Sequence, residues 1–397
     1  MRQVFIYLLV SILFSCQASD EKKEVIEKPK EIIVGAEQTE TYLPLLKDKK
    51  VGLLVNQTSQ IKGKHIVDSL YALGVNIEMI FAPEHGFRGD EDAGAHVKDA
   101  VDPKTGVKIY SIYGKNKRPS PELLKQVDIV LFDIQDVGCR FYTYISSMHY
   151  MMEACQEANI PMLVLDRPNP NGMYIDGPVL KEEFTSFVGM HPIPILHGLT
   201  VGELAKMING EKWLRSEEEC DLTVVPVKNY DHSMAYSLPV KPSPNLPNDQ
   251  SILLYPSLCF FEATPVSIGR GTDFPFQVIG YNNKEMGEFT FTPRSIKGAA
   301  SNPVLKGEQC FGEDLRKVAK GGLNLSYIIK WNEQFKKTNN ESVISKKKWM
   351  DLLSGTDQLR KQIEEGKSEK EIKISWKSDL DNYKSMRNKY LIYTDFK

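Results

Sequence analysis

The stretch Phe81-Ala-Pro-Glu-His-Gly-Phe-Arg-Gly89 gathers a carboxyl group, an imidazole and a guanidinium around one glycine, through Glu84, His85 and Arg88. It follows an apolar, strand-like run at 76–80. In an open α/β sheet the loop leaving a strand's carboxyl end is where ligands are held. Glu84 stands first, because a carboxylate between proline and histidine has no evident capping role. Other strand ends send polar residues to the same edge: Asn56, Gln57 and Thr58; then Asp133, Gln135, Asp136, Arg140 and Tyr142; then Asp166, Arg167, Asn169 and Asn171. Polar groups converging on one crevice mark a ligand site. Each also has a plainer reading. Asp133 and Asp166 can cap the turns they begin, Asn169 and Asn171 can shape a turn, and Arg140 can pair with a nearby carboxylate.

Several familiar sites are missing. No Gly-x-Gly-x-x-Gly follows a strand, and there is neither a phosphate loop nor a Gly-x-Ser-x-Gly elbow. These absences disfavour dinucleotide oxidoreductases, NTPases and typical α/β-hydrolases. His85, Asp90, Asp92 and His96 could hold a metal but lack recognisable ligand spacing, so neither metal nor cofactor is expected. Carboxylate chemistry remains. Glycosidic bonds are commonly broken by two carboxyl groups, one protonating the leaving oxygen. That acid needs a raised pKa, which burial beside apolar groups supplies. Phe81, Phe87 and Tyr113 are candidates for the apolar wall around Glu84.

The elements that position these residues follow from hydrophobic pattern. Apolar runs at 51–55, 77–81, 129–132, 162–165 and 222–227 alternate with helical patterns at 65–73, 121–126, 143–158 and 201–213. The segment 143–158 places Ile145, Met148, Met152 and Cys155 at helical spacing. Ser120-Pro121 reads as a cap followed by proline at the first helical position, and Thr200 with Glu203 has capping-box spacing. Alternating strands and helices imply crossovers and a mostly parallel sheet, hence an α/β, Rossmann-like domain over 33–236. Pro239, Pro242, Pro244 and Pro247 cannot lie in helix or central strand and read as an interdomain crossing. A smaller α+β domain is expected over 237–397, with strands at 252–259, 277–281 and 289–292 and helices at 311–320, 325–338 and 356–365.

The chain has 397 residues, enough for about two or three domains. It is 41% hydrophobic and 26% charged with a net charge of −2, so no global field favours nucleic acid or an anionic membrane surface. The amino terminus stands outside the fold. Residues 4–14 are nearly all apolar yet too few to span a bilayer, and with Leu13-Phe-Ser-Cys16 they read as a lipoprotein signal over 1–16. Acylation at Cys16 would anchor the protein through lipid alone, on the periplasmic face or outer-membrane surface, with 17–32 as a flexible tether. Five cysteines remain, widely spaced and odd in number, which argues for free thiols.

The longer motifs carry a resemblance. Gly52-Leu-Leu-Val-Asn-Gln-Thr58, Ala82-Pro-Glu-His-Gly-Phe-Arg-Gly89, Asp133-Ile-Gln-Asp-Val-Gly138, Arg140-Phe-Tyr-Thr-Tyr144 and Asp166-Arg-Pro-Asn-Pro-Asn-Gly172 are similar to those of the NamZ-type exo-β-N-acetylmuramidases. So are Pro242-Ser-Pro-Asn-Leu-Pro247, Glu262-Ala-Thr264 and Gly269-Arg-Gly-Thr272. The resemblance runs from about Ile33 to the carboxyl terminus. It implies removal of N-acetylmuramic acid from the non-reducing end of peptidoglycan fragments. It also implies a Rossmann-like domain followed by a smaller one, a site in the cleft between them, and Glu84 as the catalytic carboxylate. For the second carboxylate, Asp133, Asp136 and Glu262 stay open, and their separation from Glu84 would distinguish retention (roughly 5 Å) from inversion (roughly 6.5–9.5 Å). Arg140 and Arg270 are candidates for the sugar's lactyl carboxylate, while Asn56, Asn169, Asn171 and Tyr142 suit its amide and hydroxyls. Arg88, Arg167 and His85 belong to the same expected site. Two rivals remain: a non-catalytic sugar- or muropeptide-binding lipoprotein, and a metal-dependent amidase or esterase built on His85 and His96.

Overall fold

The computed structural model describes residues 30–84, 86–88, 99–114, 116–216, 218–318 and 320–396. Cys16 and the amino-terminal segment, His85, and the proposed metal ligands Asp90, Asp92 and His96 lie outside them.

Consecutive apolar residues make strands that need cover on both faces. The sheet contains β1 (Val51–Val55), β2 (Ile77–Ala82), β3 (Ala100–Val101), β4 (Lys108–Ser111), β5 (Ile129–Asp133), β6 (Met162–Leu165) and β7 (Leu222–Val225). β1, β5 and β6 are buried at every position. The order across the sheet is β7-β6-β5-β1-β2-β4-β3, parallel throughout except for the edge pair β3 and β4. β3 and β4 are absent from the hydrophobic pattern because Lys108–Ser111 has only one fully buried residue. Helices α1 (Thr39–Leu46), α2 (Ile66–Ala72), α3 (Pro121–Leu124), α4 (Tyr144–Ala158) and α5 (Val201–Gly210) connect or cover the strands. The Ser120 hydroxyl caps α3, and Thr200 with Glu203 forms the expected capping box on α5. The chain leaves β1 towards β2 and later returns to β5 on β1's other side. The switch point therefore lies between β1 and β5.

His65 caps α2 with its ring. Nδ1 accepts from the Val67 amide at 3.3 Å while Nε2 reaches the Asn56 carbonyl at 3.0 Å, an arrangement only the neutral Nε2-protonated tautomer satisfies. Burial lowers the His65 pKa from 6.5 to about 4. The unfolded chain then binds a proton that the folded chain resists, so stability is full above about pH 6.5 and falls as pH drops towards 4. Urea unfolding at about pH 7 and pH 5 is expected to show a loss of about 1–2 kcal/mol from this group. A His65→Asn protein, which keeps a neutral cap, should lose less. An identical loss in both proteins would remove His65 as the cause.

The second half departs from its expected pattern. The run at 252–259, expected as a strand, falls in α6 (Asp249–Leu258) up to Leu258, because Asn248 and Ser251 cap each other reciprocally and start a helix there. Strands β8 (Val278–Tyr281), β9 (Phe289–Phe291) and β10 (Cys310–Asp314) form an antiparallel sheet with β10 in the centre. Residues 311–320 were expected to be helical. Pairing of β10 with both neighbours, and burial alternating from Cys310 to Gly312, make its start a strand instead. Helices α7 (Ser326–Asn339), α8 (Lys347–Ser354), α9 (Gln358–Glu364), α10 (Glu369–Ser375) and α11 (Lys377–Arg387) complete this smaller α+β part.

One hydrophobic cluster joins the halves, including Phe132 and Met152 from the first and Leu258, Phe260 and Trp331 from the second. The last residues also return to the first half. Tyr393 donates its hydroxyl to Asp166 at 2.6 Å, the Ile392 amide donates to Glu203 at 2.9 Å, and Arg387 bonds both Asp395 and the Gly198 carbonyl. All five described cysteines are buried free thiols, whose pKa values burial raises.

Candidate active site

The switch point, where strand topology alone would put a ligand, is filled by the protein's own polar groups. Arg167 grips Asp133 with two nitrogens, Nη2 lying 2.8 Å from Oδ2, and both side chains are buried. Asn56 Oδ1 accepts from the amide and the hydroxyl of Thr58, at 2.9 and 2.6 Å. The Thr58 hydroxyl in turn accepts from the Gln135 amide at 3.0 Å, and the Ser59 hydroxyl donates to the Asp133 carbonyl. Buried loop backbone must find partners, and here strand-end side chains provide them.

The open cavity lies on the side of β2 and β4, between the two halves. It encloses about 460 Å³. The first half contributes Glu84, Tyr113, Lys117, Tyr142, Thr143 and Phe187; the second contributes Asn245, Tyr255, Glu262, Arg270, Phe276 and Trp349. Glu84 is half-buried in the turn that follows β2. Tyr113 donates to its Oε1 at 2.8 Å and Thr143 to its Oε2 at 2.9 Å. Tyr144 donates to its backbone carbonyl at 3.3 Å. Thr143 occupies the N-cap position of α4 without capping the helix through its side chain. A threonine there ordinarily bonds the first-turn amides; this one is turned to the carboxylate instead. Burial, then the adjacent Glu84 charge, raises the Tyr113 pKa, so its hydroxyl remains a donor at neutral pH. Two hydroxyls from different elements fix the plane of one carboxyl group at the cavity wall.

Aromatic rings form the rest of that wall. Tyr142 meets Tyr144 edge-on at 5.0 Å, and Tyr255 meets Phe141 at 5.3 Å and Phe276 at 5.0 Å. Edge-to-face packing makes a stiff apolar surface with a few polar tips. On the far side Glu262 and Arg270 form an ion pair at 2.7 Å, with Arg270 also over the Phe276 ring. Tyr142 lines the cavity while its hydroxyl donates to the Pro242 carbonyl at 2.7 Å. The proline-rich segment, expected only as a crossing, thus supplies part of the site through Ser243, Asn245 and Leu246.

Of the expected site residues, Glu84, Tyr142, Glu262 and Arg270 meet at this cavity. His85 lies outside the described residues, and the others are placed away from the cavity. Arg140 is fully buried and donates to four carbonyls, those of Pro178, Ile193, Leu353 and Ser354, at 2.6–3.1 Å. It staples segments together and cannot reach a ligand's carboxylate. Asp133, Arg167 and Asn56 belong to the sealed switch point. Asn169 and Asn171 bond the Leu199 and Val137 carbonyls and shape their turn, as the plainer reading had it. Asp136 accepts from the Gly138 amide at 2.6 Å, with His197 3.7 Å away. Arg88 pairs with Asp68 and Asp102, in a separate shallow crevice beside His65. Asp166 caps α5, accepting from the Gly202 amide.

Thr143, Lys117, Asn245 and Trp349 went unrecognised in the sequence. Thr143 carried a signal as an uncommitted hydroxyl at a helix start, and Asn245 one through the Pro242–Pro247 motif, while Lys117 and Trp349 carried none. Tyr113 was expected as apolar wall and also orients Glu84.

Known proteins share this architecture. Family models for the N-terminal and C-terminal parts of "Exo-beta-N-acetylmuramidase NamZ" match residues 51–250 and 253–393. The "Peptidoglycan beta-N-acetylmuramidase NamZ" of Bacillus subtilis (strain 168) is 38% identical, the match covering 99% of this chain and all of that protein. A crystal structure of a DUF1343 family protein from Bacteroides fragilis NCTC 9343 is 47% identical, with a TM-score of 0.84 over 92% of this chain and all of that one. A second from the same organism is 31% identical, with a TM-score of 0.78 over 91% of this chain and 99% of that one.

Proposed function

This chain belongs to the exo-β-N-acetylmuramidase NamZ family, and on that premise we propose that it releases N-acetylmuramic acid from the non-reducing end of peptidoglycan-derived saccharides, with Glu84 as the catalytic carboxylate. It is a glycosidase. The observation that supports the role of Glu84 is its setting: a carboxyl group at the wall of an aromatic cavity, its plane fixed by Tyr113 and Thr143. A positioned acid beside the bridging oxygen protonates the leaving group as the glycosidic bond breaks. Of the three carboxylates considered as its partner, Glu262 alone lines the cavity among the described residues, so we assign it the second role. Asp133 and Asp136 are committed elsewhere. The half-buried ring of Trp349 is placed to offer an apolar face to the sugar, with Tyr255 and Phe276 packed behind the wall.

The mode of attack is tested with saccharides that end in N-acetylmuramic acid or, after removal of that sugar, in N-acetylglucosamine. Monosaccharide release from the first set and none from the second is the expected chromatographic result. Internal fragments, or binding of the saccharide without any cleavage, would sink the reading.

A further inference from the structure

Two cations line the cavity among the described residues, Lys117 and Arg270. They differ in what compensates them. Arg270 is ion-paired with Glu262. Lys117 instead places its ammonium over the face of Phe187, 4.4 Å from the ring centre, and among the described residues no carboxylate lies within ion-pair distance of it. A ring face holds and orients a cation without neutralising it. Among the described residues, an incoming anion therefore displaces no carboxylate at Lys117, whereas at Arg270 it would compete with Glu262. The Phe187 ring also lies 6.1 Å from that of Tyr113, whose hydroxyl holds Glu84. The ammonium and the acid thus stand on one wall, two rings apart.

We propose that Lys117 is the specificity-determining residue that binds the lactyl carboxylate on O3 of the terminal N-acetylmuramic acid. This rests on the glycosidase reading above and deepens it. A sugar seated with its anomeric oxygen at Glu84 carries its lactyl group two ring carbons away, on O3, so a cation on the same wall is placed to meet it. The substrate is an anion entering a cavity that already holds Glu84 and Glu262. Lys117 offsets that repulsion and gives the charged sugar an advantage over N-acetylglucosamine, which lacks the lactyl group.

The test crosses enzyme with substrate, using a chromogenic β-N-acetylmuramide and the same compound with its lactyl carboxyl converted to the methylamide. Wild type should favour the acid by about tenfold in kcat/KM, mainly through KM, as expected for one partly desolvated charge pair. Lys117→Gln should lose about that factor on the acid and little on the amide, so the preference collapses, and Lys117→Arg should restore part of it. Calorimetry with free N-acetylmuramic acid and N-acetylglucosamine gives the same comparison without turnover. Its result stands even where no hydrolysis is seen, which would count against the glycosidase reading alone. An unchanged acid-to-amide ratio in Lys117→Gln, or equal losses on both compounds, would overturn the assignment.

Discussion

Glutamine in place of Glu84 is expected to lower kcat on a chromogenic β-N-acetylmuramide by about 10²-fold or more, with KM changed only a few-fold. Glutamine keeps the shape of the side chain and an oxygen that can accept from Tyr113, so the cavity wall should hold. What disappears is the transferable proton, and positioned proton transfer typically contributes about 10²–10⁴ in rate. The loss should therefore fall on kcat, as it does when an interaction is made only in the transition state. An unchanged thermal midpoint would separate this from misfolding. Equal rates for the two proteins would take Glu84 out of the mechanism.

Removing Arg140 is expected to act on stability. Arg140→Met should cost about 3–5 kcal/mol, because four carbonyls lose their donors at once and each buried polar group left unpaired costs about 1–3 kcal/mol. Lysine should rescue little, since one ammonium cannot reproduce the planar fork. The packing leaves no slack: a Cβ at Gly355, which has φ +75°, would sit 2.6 Å from Arg140 Nη2. Burial depresses the Arg140 pKa to about 9, still high enough to keep it charged at neutral pH. Urea unfolding decides the matter. A protein with wild-type stability and a raised KM would restore the ligand-binding role that the buried geometry argues against.

The parallel sheet was legible because its central strands are covered on both faces and so are written as unbroken apolar runs. Edge strands such as β4, and β10 with its charged tail, lack that imprint. The site was legible only in part. Glu84 stood out because no local role explained it. Asp133, Asn169 and Arg140 were equally conspicuous, yet Asn169 and Arg140 serve buried backbone and Asp133 holds Arg167, and a strand-end carboxylate is the same letter whether it binds a ligand or an arginine. The cavity itself is made by distant meetings. Glu84 meets Tyr113 across 29 positions and Thr143 across 59, and Tyr142 meets the Pro242 carbonyl across 100. No local spacing encodes such encounters, which depend on how the halves pack.

The return of Ile392 and Tyr393 to Asp166 and Glu203 has a bearing on how the molecule is made. Asp166 is wholly enclosed, with its pKa lifted to about 6 by burial, and a partner of its carboxylate is contributed 227 positions later. In a nascent polypeptide emerging from the ribosome, the β6 end lacks this partner until Tyr393 has been synthesised. The segment matching the second family model thus completes the hydrogen bonding of a buried carboxylate in the first.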